Sequence, residues 1–219
     1  MSLKLIILDI ETTGLTGRNG IWQIAALEFE NPENYFLQEA RIDDEDEIME
    51  SALRICGKRE GDLRDPSKQS QKQMIENYLD WLKQFKERII WGANVAWDIS
   101  IIQGKCIEYG LSKKFLDIHG HRGMDILTLA QERYYEIHGE YLLNKNGKHD
   151  MNLSNVLKLC GIPDERVNIQ LTGEIKKEGE PHSALKDCRL EAECLSRLKF
   201  GKNLFSEYAQ YKIPEVLKK

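Results

Sequence analysis

Three small groups of acids carry whatever chemistry this sequence performs. The first is Asp9 and Glu11, which end the apolar run LKLIILDI and precede the turn-forming residues Thr12, Thr13, Gly14 and Leu15. Along a strand, residues two apart point to the same face with Cβ atoms roughly 6–7 Å apart. Carboxylates are costly in a strand unless they face water or bind something. Two of them side by side suit a pair of divalent ions about 3.5–4 Å apart, the spacing that phosphoryl chemistry uses. The second group is Asp98, within WGANVAWDISII, where a buried strand runs into a small turn and a helix whose next residues are apolar. Taken alone, an acid at a helix start needs only the macrodipole to explain it. The third is His182 and Asp187, in PHSALKDC. Five residues apart on one helix they would lie about 140° apart around its axis. They converge only if His182 sits in the loop before the helix, with Ser183 as the candidate N-cap.

Positioning these groups falls to elements that hydropathy patterning and turn residues outline. LKLIILD reads as a buried strand, and IWQIAALEFE and NYFLQEARI as two more, joined through NPEN as a hairpin. Residues 69–86 place Met74, Ile75, Tyr78, Leu79, Leu82 and Phe85 at helical spacing. RIIWGAN reads as a fourth strand, followed by a helix from about Asp98 to Tyr109 that Gly110 ends. MDILTLAQERYYEIHG and NLSNVLKLCG are further helices, EIKKEGEP is a loop, and ALKDCRLEAECLSRL is a closing helix. Three strands, then a helix, a strand and more helices predict an α/β layer fold with a mixed sheet, in one domain over residues 1–219.

The chain has 219 residues, 41% hydrophobic and 31% charged, with a formal net charge of −5. That charge argues against wrapping nucleic acid by bulk attraction, though not against a local site where cations supply the positive charge. The acidic stretch DDEDE, residues 43–47, reads as a solvated loop. Five scattered cysteines without a CxxC pair argue against a zinc knuckle or disulfide framework and for a reducing compartment. With no apolar run of about 18 residues and no signal pattern, the expectation is a cytoplasmic protein without a membrane partner.

Taken together and in order, these residues resemble the DEDDh family of 3′–5′ exonucleases, which includes proofreading subunits, oligoribonuclease and RNase T. Asp9 to Leu15 matches its DxETTGL motif, Ala93 to Asp98 its HNxxFD motif, and His182 to Cys188 its HxAxxDA motif. Met124 to Ala130 is similar to its DTLxLA segment, and Asn152 to Ile162 to its LxxLxxxxGI segment. The resemblance covers roughly residues 3–198 and leaves a tail, 200–219. Tyrosine-type relatives carry Tyr four residues before the last Asp, where this chain has Ser183, so the His type is indicated.

The resemblance implies an RNase H-like fold, a central mixed five-stranded sheet flanked by helices. It implies that Asp9 bridges two Mg²⁺ or Mn²⁺ ions, that Glu11 and Asp187 hold one of them and that Asp98 acts on the other. His182 would be the general base. The backbone around Thr12, Thr13 and Gly14 would hold the 3′-terminal sugar, Leu15 would wedge against the terminal bases, and Asn94 and Trp97 would lie beside the terminal nucleotide. The implied activity is release of nucleoside 5′-monophosphates from the 3′ end of DNA or RNA, most readily from single strands. Two hard cations would neutralise charge growing on the phosphoryl oxygens and generate hydroxide near neutral pH. Oxygen ligands without metal-binding thiols favour Mg²⁺ or Mn²⁺ over zinc, and an imidazole titrates near working pH. Ala93, Trp97, Gln23 and Ala25 depart from the family's usual His, Phe, Glu and Gly, and bear on substrate preference. Two other readings stay open: a module that binds nucleic-acid ends without turnover, and a subunit that serves a polymerase, repair or RNA-processing partner.

Overall fold

The computed structural model, which describes residues 4–169 and 175–218, is organised around the strand that carries Asp9 and Glu11. This strand, β1 (Lys4–Thr12), pairs antiparallel with β2 (Ile21–Glu28), which pairs antiparallel with β3 (Asn31–Glu39). On its other side β1 pairs parallel with β4 (Arg88–Gly92), which pairs parallel with β5 (Met124–Asp125). The order β3-β2-β1-β4-β5 makes the mixed five-stranded sheet the sequence predicts.

Helices cover both faces. Between β3 and β4 lie α1 (Glu50–Cys56), α2 (Glu60–Leu63) and α3 (Gln71–Leu82). After β4 come α4 (Val95–Glu108) and α5 (Ser112–Ile118), and after β5 come α6 (Ile126–His138) and α7 (Leu153–Leu159). A two-stranded antiparallel ribbon of β6 (Asn168–Ile169) and β7 (Ile175–Lys177) precedes α8 (Ala184–Phe200). Two 3₁₀ turns, Ser206–Gln210 and Glu215–Leu217, follow.

The alternation of β1 divides the interior. Ile6, Leu8 and Ile10 point into a core shared with α3, α4 and α5. Leu5 and Ile7 point into the opposite core, shared with α6, α7, α8 and the C-terminal segment. By the same period of two, Asp9 and Glu11 belong to the α8 face, where that core gives way to a polar site. Ligand sites in open α/β sheets lie at the carboxyl ends of parallel strands, where this one lies.

Several expectations change. Helix α4 begins at Val95, three residues before Asp98, because Asn94 adopts the left-handed conformation (φ 57°, ψ 31°) and reverses the chain at once after β4. β5 occupies the first two residues of what periodicity reads as one helix; a two-residue strand leaves no period to detect. β7 falls within the predicted loop EIKKEGEP. Helices α1, α2 and α5 are too short to register as periodic. The acidic 43–47 loop is not wholly solvated: Asp46 is buried, pairs with the equally buried Lys105 of α4 and accepts a hydrogen bond from Gln71. All five cysteines are buried free thiols. Among the described residues, no helix is long and apolar enough to cross a membrane.

Candidate active site

Five sequence-predicted residues converge at the carboxyl end of β1. Asp9 and Glu11 come from the strand itself, and Asp98 from the first turn of α4, where its Oδ1 accepts the Ile10 N–H at 3.2 Å. That bond anchors α4 to the strand between the two β1 carboxylates. Asp187 lies in the first turn of α8, and His182 in the loop before it, so the loop placement their spacing requires is the one observed. His182 Nδ1 is 3.3 Å from Asp187 Oδ2. Glu11, His182 and Asp187 each present a ligand atom within 4.8 Å of one another, a group fit to hold a metal ion.

The electrostatics of the cluster are those of crowded like charges. Burial raises Asp9 well above the usual carboxylate range, and Glu191, Asp187, Asp98 and Glu11 raise it further. Glu11 is pushed up to about 7, first by burial and then by Asp187, against the pull of His182 and Arg166. Asp98 is pushed up to about 8, chiefly by burial. For His182, burial is the largest influence and lowers the pKa, but the bond to Asp187 and its charge leave it raised overall. Crowded carboxylates of this kind are stabilised in their charged form by cations, and hard oxygen donors suit divalent ones.

Of the residues expected to meet a terminal nucleotide, Thr12, Gly14, Leu15 and Trp97 line a cleft of about 280 Å³ together with Ile10, Glu11 and His182. Its far wall is α1 and its approach, through Met49, Ser51, Ala52 and Ile55. Leu15 is 62% exposed at its mouth. The backbone must pass close to Asn19 at Gly14, where a Cβ would lie 2.5 Å from the Asn19 amide. Two predicted residues stand elsewhere. Thr13 is buried, its hydroxyl donating to Glu47 O at 2.6 Å and accepting from Gly20 N at 2.8 Å, so it braces the loop rather than facing the cleft. Asn94 does not line the cleft either; it is the turn residue between β4 and α4, its N–H held by Asp125 Oδ1 at 3.0 Å.

Sequence reasoning missed several contributions to the site. Arg166 grips Asp164 through two bonds of 3.0 Å and extends Nη1 to Asp187 Oδ1 at 3.3 Å. Its neighbour Val167 offers a carbonyl that accepts from His182 Nε2 at 3.1 Å. The polar stretch before His182 contacts the site through residues 166 and 167; its residues 170–174 lie outside the described part. Helix α1, whose Ile55 carbonyl accepts the His182 N–H at 3.0 Å, was foreshadowed only by Gly57 as a C-terminal stop. Glu191, one turn beyond Asp187, stands on the buried side of α8.

The last is a capping role for Gln23, which the sequence marks only as a departure bearing on substrate preference. Ser183 occupies the N-cap position of α8 but its side chain caps nothing. Gln23 of β2 supplies the acceptor instead, with Oε1 taking the Ala184 N–H at 2.8 Å, while its Nε2 donates to Glu39 Oε1 at 3.1 Å. Gln23→Ala is expected to cost about 1–2 kcal/mol of stability, the worth of a cap whose buried donor is left unpaired. Urea unfolding checks this; an unchanged midpoint would show that water replaces the amide.

No family model matches the chain, and no curated protein matches it in sequence. Solved structures do. Escherichia coli exonuclease I in complex with a dA16 oligonucleotide superposes with a TM-score of 0.65 at 15% identity, over 89% of this chain and 41% of that one. The zinc-bound form of the E. coli exonuclease I–ssDNA complex gives 0.65 at 13%, over 91% and 41%. The nuclease domain of 3′hExo, a DEDDh family member bound to rAMP, gives 0.62 at 17%, over 97% and 96%. The chain therefore spans about two fifths of the exonuclease I chains and nearly the whole of the 3′hExo domain. The likeness is one of fold, the RNase H-like α/β architecture of exonucleases.

Proposed function

We propose that this chain is a divalent-metal-dependent 3′–5′ exonuclease of the DEDDh type, which removes nucleoside 5′-monophosphates from single-stranded 3′ ends of DNA or RNA. The observation that carries the reading is the convergence of four carboxylates and His182 beside a cleft walled by Leu15 and Trp97. The fold likeness to nucleases described with ssDNA and rAMP agrees with it.

The donor set fits two divalent cations: Asp9, Glu11, Asp98 and Asp187 offer hard oxygens and no thiolate. Cations held there would neutralise charge growing on the phosphoryl oxygens and lower the pKa of water. The chain's own residues supply the rest. Leu15, Trp97 and Ile55 provide an apolar wall against which the terminal base packs, with the Thr12 backbone lining the same cleft beside it. His182 Nε2 is committed as donor to the Val167 carbonyl, which leaves Nδ1 as the atom that takes a proton from the attacking water. Asp187 Oδ2, 3.3 Å from Nδ1, favours the protonated ring, and divalent cations held by Asp187 would offset that charge and leave Nδ1 free to act as the base.

The test uses 5′-labelled single-stranded DNA and RNA oligonucleotides with Mg²⁺, Mn²⁺ or chelator. A ladder shrinking from the 3′ end only with metal is expected, and His182→Ala should slow it by roughly 10²–10⁴-fold with the fold intact, the usual worth of a general base. Metal-dependent binding without any product would overturn hydrolysis in favour of an end-binding module.

A further inference from the structure

Glu191 has no role in the reaction outlined above, yet it occupies a costly position. The buried stripe of α8 runs through Ala184, Cys188, Ala192 and Leu195, all fully enclosed. Glu191 lies on that stripe, 1% exposed, where an apolar side chain would be the ordinary choice. It stands four residues after Asp187, so the two carboxylates share a helix face. Its Oε2 has no hydrogen-bond partner among the described residues. Burial raises the Glu191 carboxyl well above the usual carboxylate range, and the Ala93 backbone N–H only partly offsets this; Ala93 opens the segment that leads to Asp98.

Its charged surroundings are the catalytic carboxylates. Of the charges acting on Asp9, that of Glu191 is the largest. In turn Asp187 and Asp98 act on Glu191, and Arg166 is the cation that opposes them. A buried carboxyl with an unpaired oxygen, set behind three others on β1, α4 and α8, is destabilising unless positive charge arrives.

We propose that Glu191 is a fifth carboxylate of the metal centre, which adds its charge to the field that retains the divalent cations. The proposal rests on the reading of the site as a metal centre. From α8, one turn beyond Asp187, Glu191 meets the Ala93 backbone N–H in the β4–α4 turn that leads to Asp98. Outer residues that orient metal ligands are worth 10–100-fold in metal affinity by common measure.

Two variants test this, Glu191→Gln, which keeps shape and the Ala93 contact, and Glu191→Leu, which fills the stripe with an apolar group. Mn²⁺ binding is measured by calorimetry and by the loss of free-Mn²⁺ EPR signal, and thermal melting is followed in chelator. Both variants should bind Mn²⁺ roughly 10–100-fold more weakly, while melting in chelator at the same or a higher temperature than wild type. Excess Mn²⁺ should recover most of the oligonucleotide ladder. Wild-type Mn²⁺ affinity in both variants would overturn the proposal and leave Glu191 a packing residue. Wild type that binds no Mn²⁺ at all would overturn the metal-centre reading itself, and this inference with it.

Discussion

Asp9→Asn is expected to abolish metal-dependent hydrolysis, by at least about 10³-fold, while leaving the metal-free protein as stable as wild type or more so. Asp9 is central to the cluster: Glu191, Asp187, Asp98 and Glu11 all press on it, and burial presses hardest. Replacing its carboxylate by an amide of the same shape removes one like charge, which relieves the chelated fold, and one ligand, which cripples the loaded one. The pH dependence has the same origin. Glu11 and Asp98 titrate near 7 and 8 in the fold, well above their unfolded values, so the folded chain holds more protons than the unfolded chain in between. Stability in chelator is therefore full below about pH 4 as far as these groups are concerned, and falls as pH rises toward 8. Thermal melts in chelator from pH 5 to 8 should show that decline in wild type and a shallower one in Asp9→Asn. Excess Mg²⁺ should flatten the wild-type curve. Activity in Asp9→Asn near that of wild type would remove the site assigned here.

The second large effect concerns stability. Arg197 is wholly buried, its Nε donating to Glu193 Oε1 at 2.8 Å, Nη1 to Cys160 O at 2.8 Å and Nη2 to Tyr208 O at 2.9 Å. Glu193 Oε2 in turn accepts the backbone N–H groups of Leu204 and Phe205, at 2.8 and 3.0 Å. One ion pair thus satisfies the end of α7 and pins the segment after α8, whose Phe205 and Leu217 complete the core on that face. Arg197→Leu leaves the Glu193 charge buried and unpaired, and should cost about 3–5 kcal/mol, a large part of a typical domain's 5–15 kcal/mol. The double change Glu193→Leu with Arg197→Leu should recover part of that loss, because no charge is stranded. Urea midpoints for the three proteins decide it; a single variant as stable as wild type would mean that water reaches the pair.

Arg197 also shows where local reading ends. The helix that carries it is plain from its apolar stripe, and the C-terminal segment after it carries no periodic signal. Its docking depends on hydrogen bonds to the backbone at residues 204, 205 and 208, which no side-chain pattern announces. Asp46 is similar. Within DDEDE it reads as one more solvated acid, and only the arrival of Lys105 from α4, 59 residues away, makes it a buried ion-pair partner.

At the site, the sequence by itself determined the inward-facing pair Asp9 and Glu11, because a strand's period of two is local and unambiguous. It also determined that His182 must precede the helix of Asp187, because helical geometry forbids their meeting otherwise. The mixed sheet and the helical layers followed from the resemblance and the order of elements. Tertiary structure alone decided that Thr13 braces a loop, that Asn94 serves as a left-handed turn, and that Gln23 rather than Ser183 caps α8. It alone brought Arg166 to Asp187, Val167 to His182 and the Ala93 N–H to Glu191. The physical reason is one of range. Hydropathy and turn propensities act between residues a few positions apart, whereas Gln23 meets Ala184 across 161 positions of chain and Arg166 meets Asp187 across 21. Such contacts exist only after the sheet has set the distances between its ends, and a buried polar group finds its partner there or remains, like Glu191 Oε2, without one among the described residues.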